Sequence, residues 1–165
     1  MKSFEDFTDF EDGKRNGWEN DVGSPDGILK TEEGPQGPNT FWSGKLEWRP
    51  PHTFQASLAK MFRLHVGEHE KGALSTSFRY RVYPPEPGEA TTIMVLVTAN
   101  PSLGYTAFYI DERTPTGKWL QSEPVAVRYS GSRAHALIGT IGGDGPGVSR
   151  KVDIDDIKVV QIPDK

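Results

Sequence analysis

The stretch that most constrains this chain is its last strand-like run, Val152-Asp153-Ile154-Asp155-Asp156-Ile157-Lys158-Val159-Val160-Gln161-Ile162. β-Branched residues dominate it, and Val152, Ile154 and Ile157 are interleaved with acids, which reads as a β-strand. Three aspartates this close repel one another and cost stability unless something cationic meets them. The simplest such cation is a metal that prefers oxygen ligands, and calcium is the first candidate. A second acidic cluster, Asp9-Phe10-Glu11-Asp12-Gly13, lies near the other end of the chain. If the two terminal strands lie side by side, the clusters can share one ion, and that closure ties the first strand to the last. The alternative is a solvated edge, where charge blocks unwanted pairing. The spacing of acids, glycine and final glutamate that an EF-hand loop requires does not occur.

A chain of 165 residues suits one domain with a sizeable core, so residues 1–165 are read as a single unit with 1–6 as a flexible arm. No apolar run approaches the length that crosses a bilayer, so membrane insertion is not expected. The net charge of −4 argues against a nucleic-acid partner held mainly by its phosphates. With no cysteine there is no disulfide framework and no thiol chemistry. The first ten residues are acidic and polar, unlike a signal peptide. An extracellular or cell-surface place is expected if a signal has been removed.

The 18 glycines and 13 prolines fall at turn-like intervals, which favours many short strands. Phe7 to Glu11 reads as the first strand and Asp12-Gly13 as its turn. Residues 19–40 read as a long loop with one short strand at Gly27 to Lys30. Thr40 to Trp48 carries Trp42 and Trp48 and ends at Pro50-Pro51. Residues 54–60 hold good helix formers and read as a short helix or turn, followed by a strand from Met61 to Val66. From Ala73 to Tyr83 the alternation is clear. Leu74, Thr76, Phe78, Tyr80 and Val82 share one face, and Ser75, Ser77, Arg79, Arg81 and Tyr83 the other. Further strands are expected at 91–99, 104–111, 119–121 with 125–129, 135–141, and the terminus. About eight strands with almost no helix make an all-β fold, an antiparallel β-sandwich whose paired ends fit a jelly roll.

Taken in order, these features resemble a family. Phe10-Glu11-Asp12-Gly13 leading to Asn16-Gly17-Trp18, the alternating Ser75-to-Tyr83 strand, the Gly117-Lys118-Trp119 turn and the closing Val152-to-Val159 strand are similar to the galactose-binding-like jelly rolls. Among these, bacterial carbohydrate-binding modules are the most similar, over nearly the whole chain from about residue 7. The resemblance implies a structural calcium joining the first and last strands. Glu11 and Asp155 or Asp156 would be its ligands, with backbone carbonyls near Ser43-Gly44 as a further contribution. Strand parity would place Asp153 and Asp155 on one side and Asp156 on the other.

The resemblance also implies glycan binding, with sugar faces stacked on aromatic rings and polar groups meeting the hydroxyls. Trp42 and Trp48 are the stacking candidates, against burial as the alternative. Arg79, Arg81 and Tyr83 share an outward face, where arginine forks would favour an acidic glycan, against a solvated face as the alternative. Tyr105, Tyr109 and His135 are candidates on other strands.

Enzymatic chemistry finds little footing. There is no Gly-x-Ser-x-Gly and no cysteine nucleophile. His65-Val66-Gly67-Glu68-His69 matches an inverted zinc-protease pattern, but Gly67 argues against the helix that pattern needs. Gly142-Gly143-Asp144-Gly145 reads as a turn between strands, not a phosphate loop. The expectation is a non-catalytic domain that binds a glycan or polysaccharide, alone or beside a larger parent enzyme or adhesin. A protein-binding assembly or adhesion domain on the same sandwich is the alternative.

Overall fold

The alternating residues of the Ala73-to-Tyr83 stretch set the first layer of the molecule. In the computed structural model, which describes residues 4–21, 27–51, 54–64, 71–100, 103–131, 133–141 and 147–163, they belong to a strand at Lys71–Val82 with every second side chain buried. This is β5 of eleven strands among the described residues. The others are β1 Glu5–Thr8, β2 Ile28–Gly34, β3 Gly37–Trp48, β4 Gln55–Arg63, β6 Ile93–Asn100, β7 Leu103–Ile110, β8 Leu120–Gln121, β9 Val125–Ser130, β10 Arg133–Ile141 and β11 Val148–Pro163. No helix occurs among the described residues.

Two antiparallel sheets form. The larger runs β2-β3-β11-β5-β8, with β1 also on β11 and β9 also on β5. The smaller runs β4-β10-β6-β7. The terminal run 152–162 is therefore a central strand, not a solvated edge. β5 pairs along one side of β11. On the other side β3 pairs with residues 148–154 and β1 with residues 157–160, end to end. First and last strands are thus neighbours, as the paired acidic ends implied. β1 begins at Glu5, so residues 5 and 6 belong to the sheet.

The core lies between the sheets. Phe78, Tyr80, Val82, Ile154, Ile157 and Trp42 of the larger sheet meet Leu58, Phe62, Ile138, Val95, Val97 and Ile110 of the smaller. Two sequence expectations are corrected. Residues 55–60 belong to strand β4 and not to a helix: Gln55 to Leu58 are all buried, so period-2 alternation is erased, and tertiary burial overrides the helix propensity of Gln, Ala and Leu. Residues 28–48 form the β2–β3 hairpin around Pro35-Gln36, not a loop with one short strand. The part of the outer strand read as loop carries the charged residues Glu32 and Glu33. The inverted zinc pattern at 65–69 and the glycine run 142–146 lie outside the described residues.

Trp42, with Trp18, is among the largest fully buried side chains of this core, and glycines make room for it. A Cβ on Gly44 would stand 2.5 Å from the indole, and one on Gly27 would collide with the same ring. Gly44→Ala overpacks this site, with an expected cost of about 1–3 kcal/mol. At about 2–4 °C per kcal/mol for a domain of this size, a thermal melt should fall by about 2–12 °C. An unchanged melt would show that the indole is not confined here.

Candidate functional site

Because Arg79 and Arg81 lie opposite Asp155 and Asp153 in the β5–β11 register, the outward face of the larger sheet carries paired charges across adjacent strands. Asp153 is 0% exposed. Its Oδ2 accepts hydrogen bonds from Arg81 Nε at 3.0 Å and Nη2 at 2.9 Å, and from the Tyr83 hydroxyl. Its Oδ1 is buried without a partner among the described residues. Arg81 also donates to Glu32 of β2, Nη1 to Oε1 at 2.7 Å and Nη2 to Oε2 at 3.0 Å, the bidentate fork that a planar guanidinium makes with a carboxylate.

Aromatic rings enclose this guanidinium. Its Cζ stands 4.6 Å from the Trp119 ring centroid, 4.9 Å from Phe41 and 5.6 Å from Tyr83. Phe41 meets Trp119 edge-on at 5.4 Å, and Lys151 Nζ lies 4.4 Å over Tyr83. Burial pulls the Arg81 pKa down, but the bonds to Glu32 and Asp153 and the Asp153 charge outweigh it, so it stays above its ordinary value. Burial, with the Asp153 hydrogen bond and charge, pushes the Tyr83 hydroxyl up to about 12, so it stays a neutral donor.

Beside this cluster lies a groove of about 600 Å³, walled by Phe7, Glu32, Asn39, Arg79, Trp119 and Asp156 among others. Its lining includes acids of the seam, Asp9, Glu11 and Asp156. Thr40 lies beyond the last β3–β11 pair, and its N–H donates instead to Glu11 Oε1 at 2.8 Å. Asp156 sits in the β11 bulge at φ 48°, with its N–H on Asp155 Oδ1 at 2.8 Å. The bulge breaks the strict alternation expected here, and Asp156 Oδ2 reaches Arg79 Nη1 at 3.5 Å.

The seam's charge is poorly compensated. Burial and then the Asp156 charge push Asp155 up to about 7, with Glu11 adding to the rise, while the Asp156 N–H and the Asn39 side chain oppose it. Asp156 is raised too, by burial first and by Asp9 and Glu11, against the pull of Arg79. These oxygen-only donors suit a hard cation such as Ca²⁺. Among the described residues, however, no three metal-binding side chains are grouped as a ready cage. The β3 neighbours of the seam are Asn39 and Thr40; Ser43 and Gly44 pair with Asp153 and Val152, farther along β11.

The other sequence candidates separate. Trp42 is 0% exposed and Trp48 6%, so neither offers a ring face to a sugar; both point inward from β3 with Leu46. Arg79, Arg81 and Tyr83 share one face, but Arg81 spends its fork on Glu32 and Asp153 and is not free for an acidic glycan. Tyr109, half exposed, and His135 are on the outward face of the smaller sheet, so the sandwich core separates them from this cluster. The side chain of Tyr105 lies outside the described residues. Sequence reasoning missed Trp119 as a site residue, and also Phe7, Phe41 and Glu32. The available signal was Trp119 itself, a large aromatic in a polar turn rather than on an apolar strand face.

No family model matches the chain, and no curated protein does. Solved structures do. The CBM22-1 xylan-binding domain of Xyn10C from Paenibacillus barcinonensis is 15% identical, with 96% of this chain and 94% of that one covered, at a TM-score of 0.52. The CBM27-1 of Caldicellulosiruptor saccharolyticus, solved with mannohexaose, is 8% identical, with 94% and 96% covered, at a TM-score of 0.50. The fold is therefore the jelly roll that carbohydrate-binding modules have, as the resemblance implied.

Asp155 gives a pH dependence of definite sign. Its folded-state carboxyl holds a proton at pH values where the unfolded chain, near 3.8, has lost it. Raising the pH from about 4 to about 7 therefore removes stability through this group. In chelator, Asp155→Asn, which mimics the protonated form, should melt higher than the parent at pH 8 and close to it at pH 4. An equal difference at both pH values would contradict the raised carboxyl.

Proposed function

We propose that this domain binds a glycan chain without catalysis, on the outward face of the larger sheet, with Trp119 as the stacking ring. The observation that carries this reading is Trp119 itself. Of the four tryptophans, Trp18, Trp42 and Trp48 are buried, while Trp119 is partly exposed at the wall of the groove. Phe7, 53% exposed, lines the same groove. Rings of this kind match the apolar faces of sugars, and Arg79, Glu32 and Asn39 of the groove wall supply donors and acceptors for hydroxyls. A binding role agrees with the charges as they stand, since Glu32 and Asp153 are held by Arg81 and Asp156 by Arg79.

Xylan and mannohexaose, named for the two similar structures, are the first ligands to try. Xylan, mannohexaose and a panel of other polysaccharides should be assayed by affinity electrophoresis and calorimetry. Trp119→Ala should cost about 2 kcal/mol or more, about 30-fold in affinity, as central aromatic anchors do. Tyr109→Ala, on the other sheet, should leave affinity within about twofold. No binding across the panel, together with a protein partner captured without sugar, would favour the assembly reading.

A structural Ca²⁺ belongs to the same proposal, with Glu11, Asp155 and Asp156 as the residues that would hold it. Support comes from their oxygen-only chemistry and the raised Asp155. Bound there, the ion would compensate the seam's charge and strengthen the join between β1 and β11. Calcium at about 100 times its dissociation constant should stabilise by about 2.7 kcal/mol. That is a melt about 5–11 °C higher than in chelator. An identical melt would leave the seam compensated by Arg79 alone. A glycan binder of this kind works outside the cell, beside a parent enzyme or adhesin.

A further inference from the structure

We infer that Glu32 and Arg81 are positioning residues that fix the Trp119 ring, so that the β2–β3 hairpin sets the sugar platform; this rests on the glycan reading above. Backbone pairing alone does not hold Trp119. It follows a turn-rich stretch and precedes β8, only two residues long, which pairs with Arg79 and Tyr80. The indole is instead fixed by its neighbours. The Arg81 guanidinium lies over it at 4.6 Å, Arg79 at 5.6 Å, and Phe41 meets its edge. Its Nε1–H donates to Glu32 Oε1 at 3.4 Å.

Glu32 therefore joins two jobs. It takes the Arg81 fork from the hairpin side while Asp153 takes it from β11, and it receives the indole N–H. With two carboxylates gripping it, Arg81 cannot swing, and its planar face becomes a rigid backing for the ring. Its side chain is only 12% exposed, against 37% for Glu32. Stacking of this type adds attraction between the cation and the ring. Preorganising the ring reduces the ordering cost that sugar binding would otherwise meet. Arg81 thus acts through Trp119, not on the ligand. A lysine there keeps the charge and loses both the fork and the flat face.

The test compares Glu32→Gln and Arg81→Lys with the parent, reading near-UV circular dichroism, thermal melting and affinity for whichever glycan the parent binds. Each variant is repeated in a Trp119→Phe background to assign the optical change. Expected for Glu32→Gln, on the outer strand, are a weakened Trp119 band, a melt within about 2 °C of the parent, and about 3–10-fold weaker glycan binding. Arg81→Lys should weaken the band further. The band change should vanish in the Trp119→Phe background. An unchanged band in both variants would overturn the inference, as would an affinity that stays at the parental level when the band is lost. If the parent binds no glycan, the optical arm still decides whether Glu32 and Arg81 hold the ring, so failure of the glycan reading is told apart from failure of this one.

Discussion

The pairing of β11 on both sides is the constraint on which the rest of the structure depends. This strand joins β5 on one flank to β3 and β1 on the other, so the larger sheet exists only if the chain's end inserts between earlier strands. Most of its contacts are distant in sequence, which places the closure of this sheet among the entropically expensive steps of folding. The same central position buries aspartates. Asp153 and Asp155 leave water almost completely, and each must be met by a cation, by hydrogen bonds or by a proton.

The two aspartates solve that problem differently. Asp153 faces Arg81 and Tyr83 and is met by their hydrogen bonds, within a network closed by Glu32. Asp155, two residues on, is driven towards its protonated form by burial first and then by the Asp156 charge, with Glu11 from the chain's other end adding to the rise. One strand therefore carries an arginine-held ion network, with Asp153 Oδ1 lacking a partner among the described residues, beside a poorly compensated acidic seam, and the groove beside Trp119 is lined by Glu32 of the first and by Glu11 and Asp156 of the second. Burial of a charged network such as the first is weak evidence for stability. What it supplies here is a fixed arrangement of rings on an exposed sheet face.

Much of this was legible in the sequence where one side of a strand meets water. β5 shows strict alternation because one face is core and the other is open, and its outward residues were identified correctly. The joining of the two ends was expected from the acidic clusters near both, with a solvated edge as the alternative, and β1 does pair with β11. Where both faces of a strand are buried, as from Gln55 to Leu58, alternation disappears and helix-forming residues mislead. The β2–β3 hairpin was hidden by charges on its outer strand. Trp42 and Trp48, the stacking candidates, are buried, and their own alternation with Ser43, Lys45 and Glu47 assigns them inward once β3 is known to be a strand. Arg81 was read as a free fork because sequence does not reveal Glu32, 49 residues away, as its partner. The bulge that turns Asp156 towards Arg79 has no local signature, since non-glycine residues at positive φ are held there by their surroundings.

The central claim is that Trp119 is the ring a glycan covers. It is tested most directly by acrylamide quenching of tryptophan fluorescence with and without saturating xylan or mannohexaose. The other three tryptophans are buried, so the quencher reports on Trp119 above all. The account expects quenching to fall sharply on saturation and the effect to be lost in Trp119→Phe. Binding shown by calorimetry with quenching unchanged would contradict it and move the glycan to another surface of the sandwich.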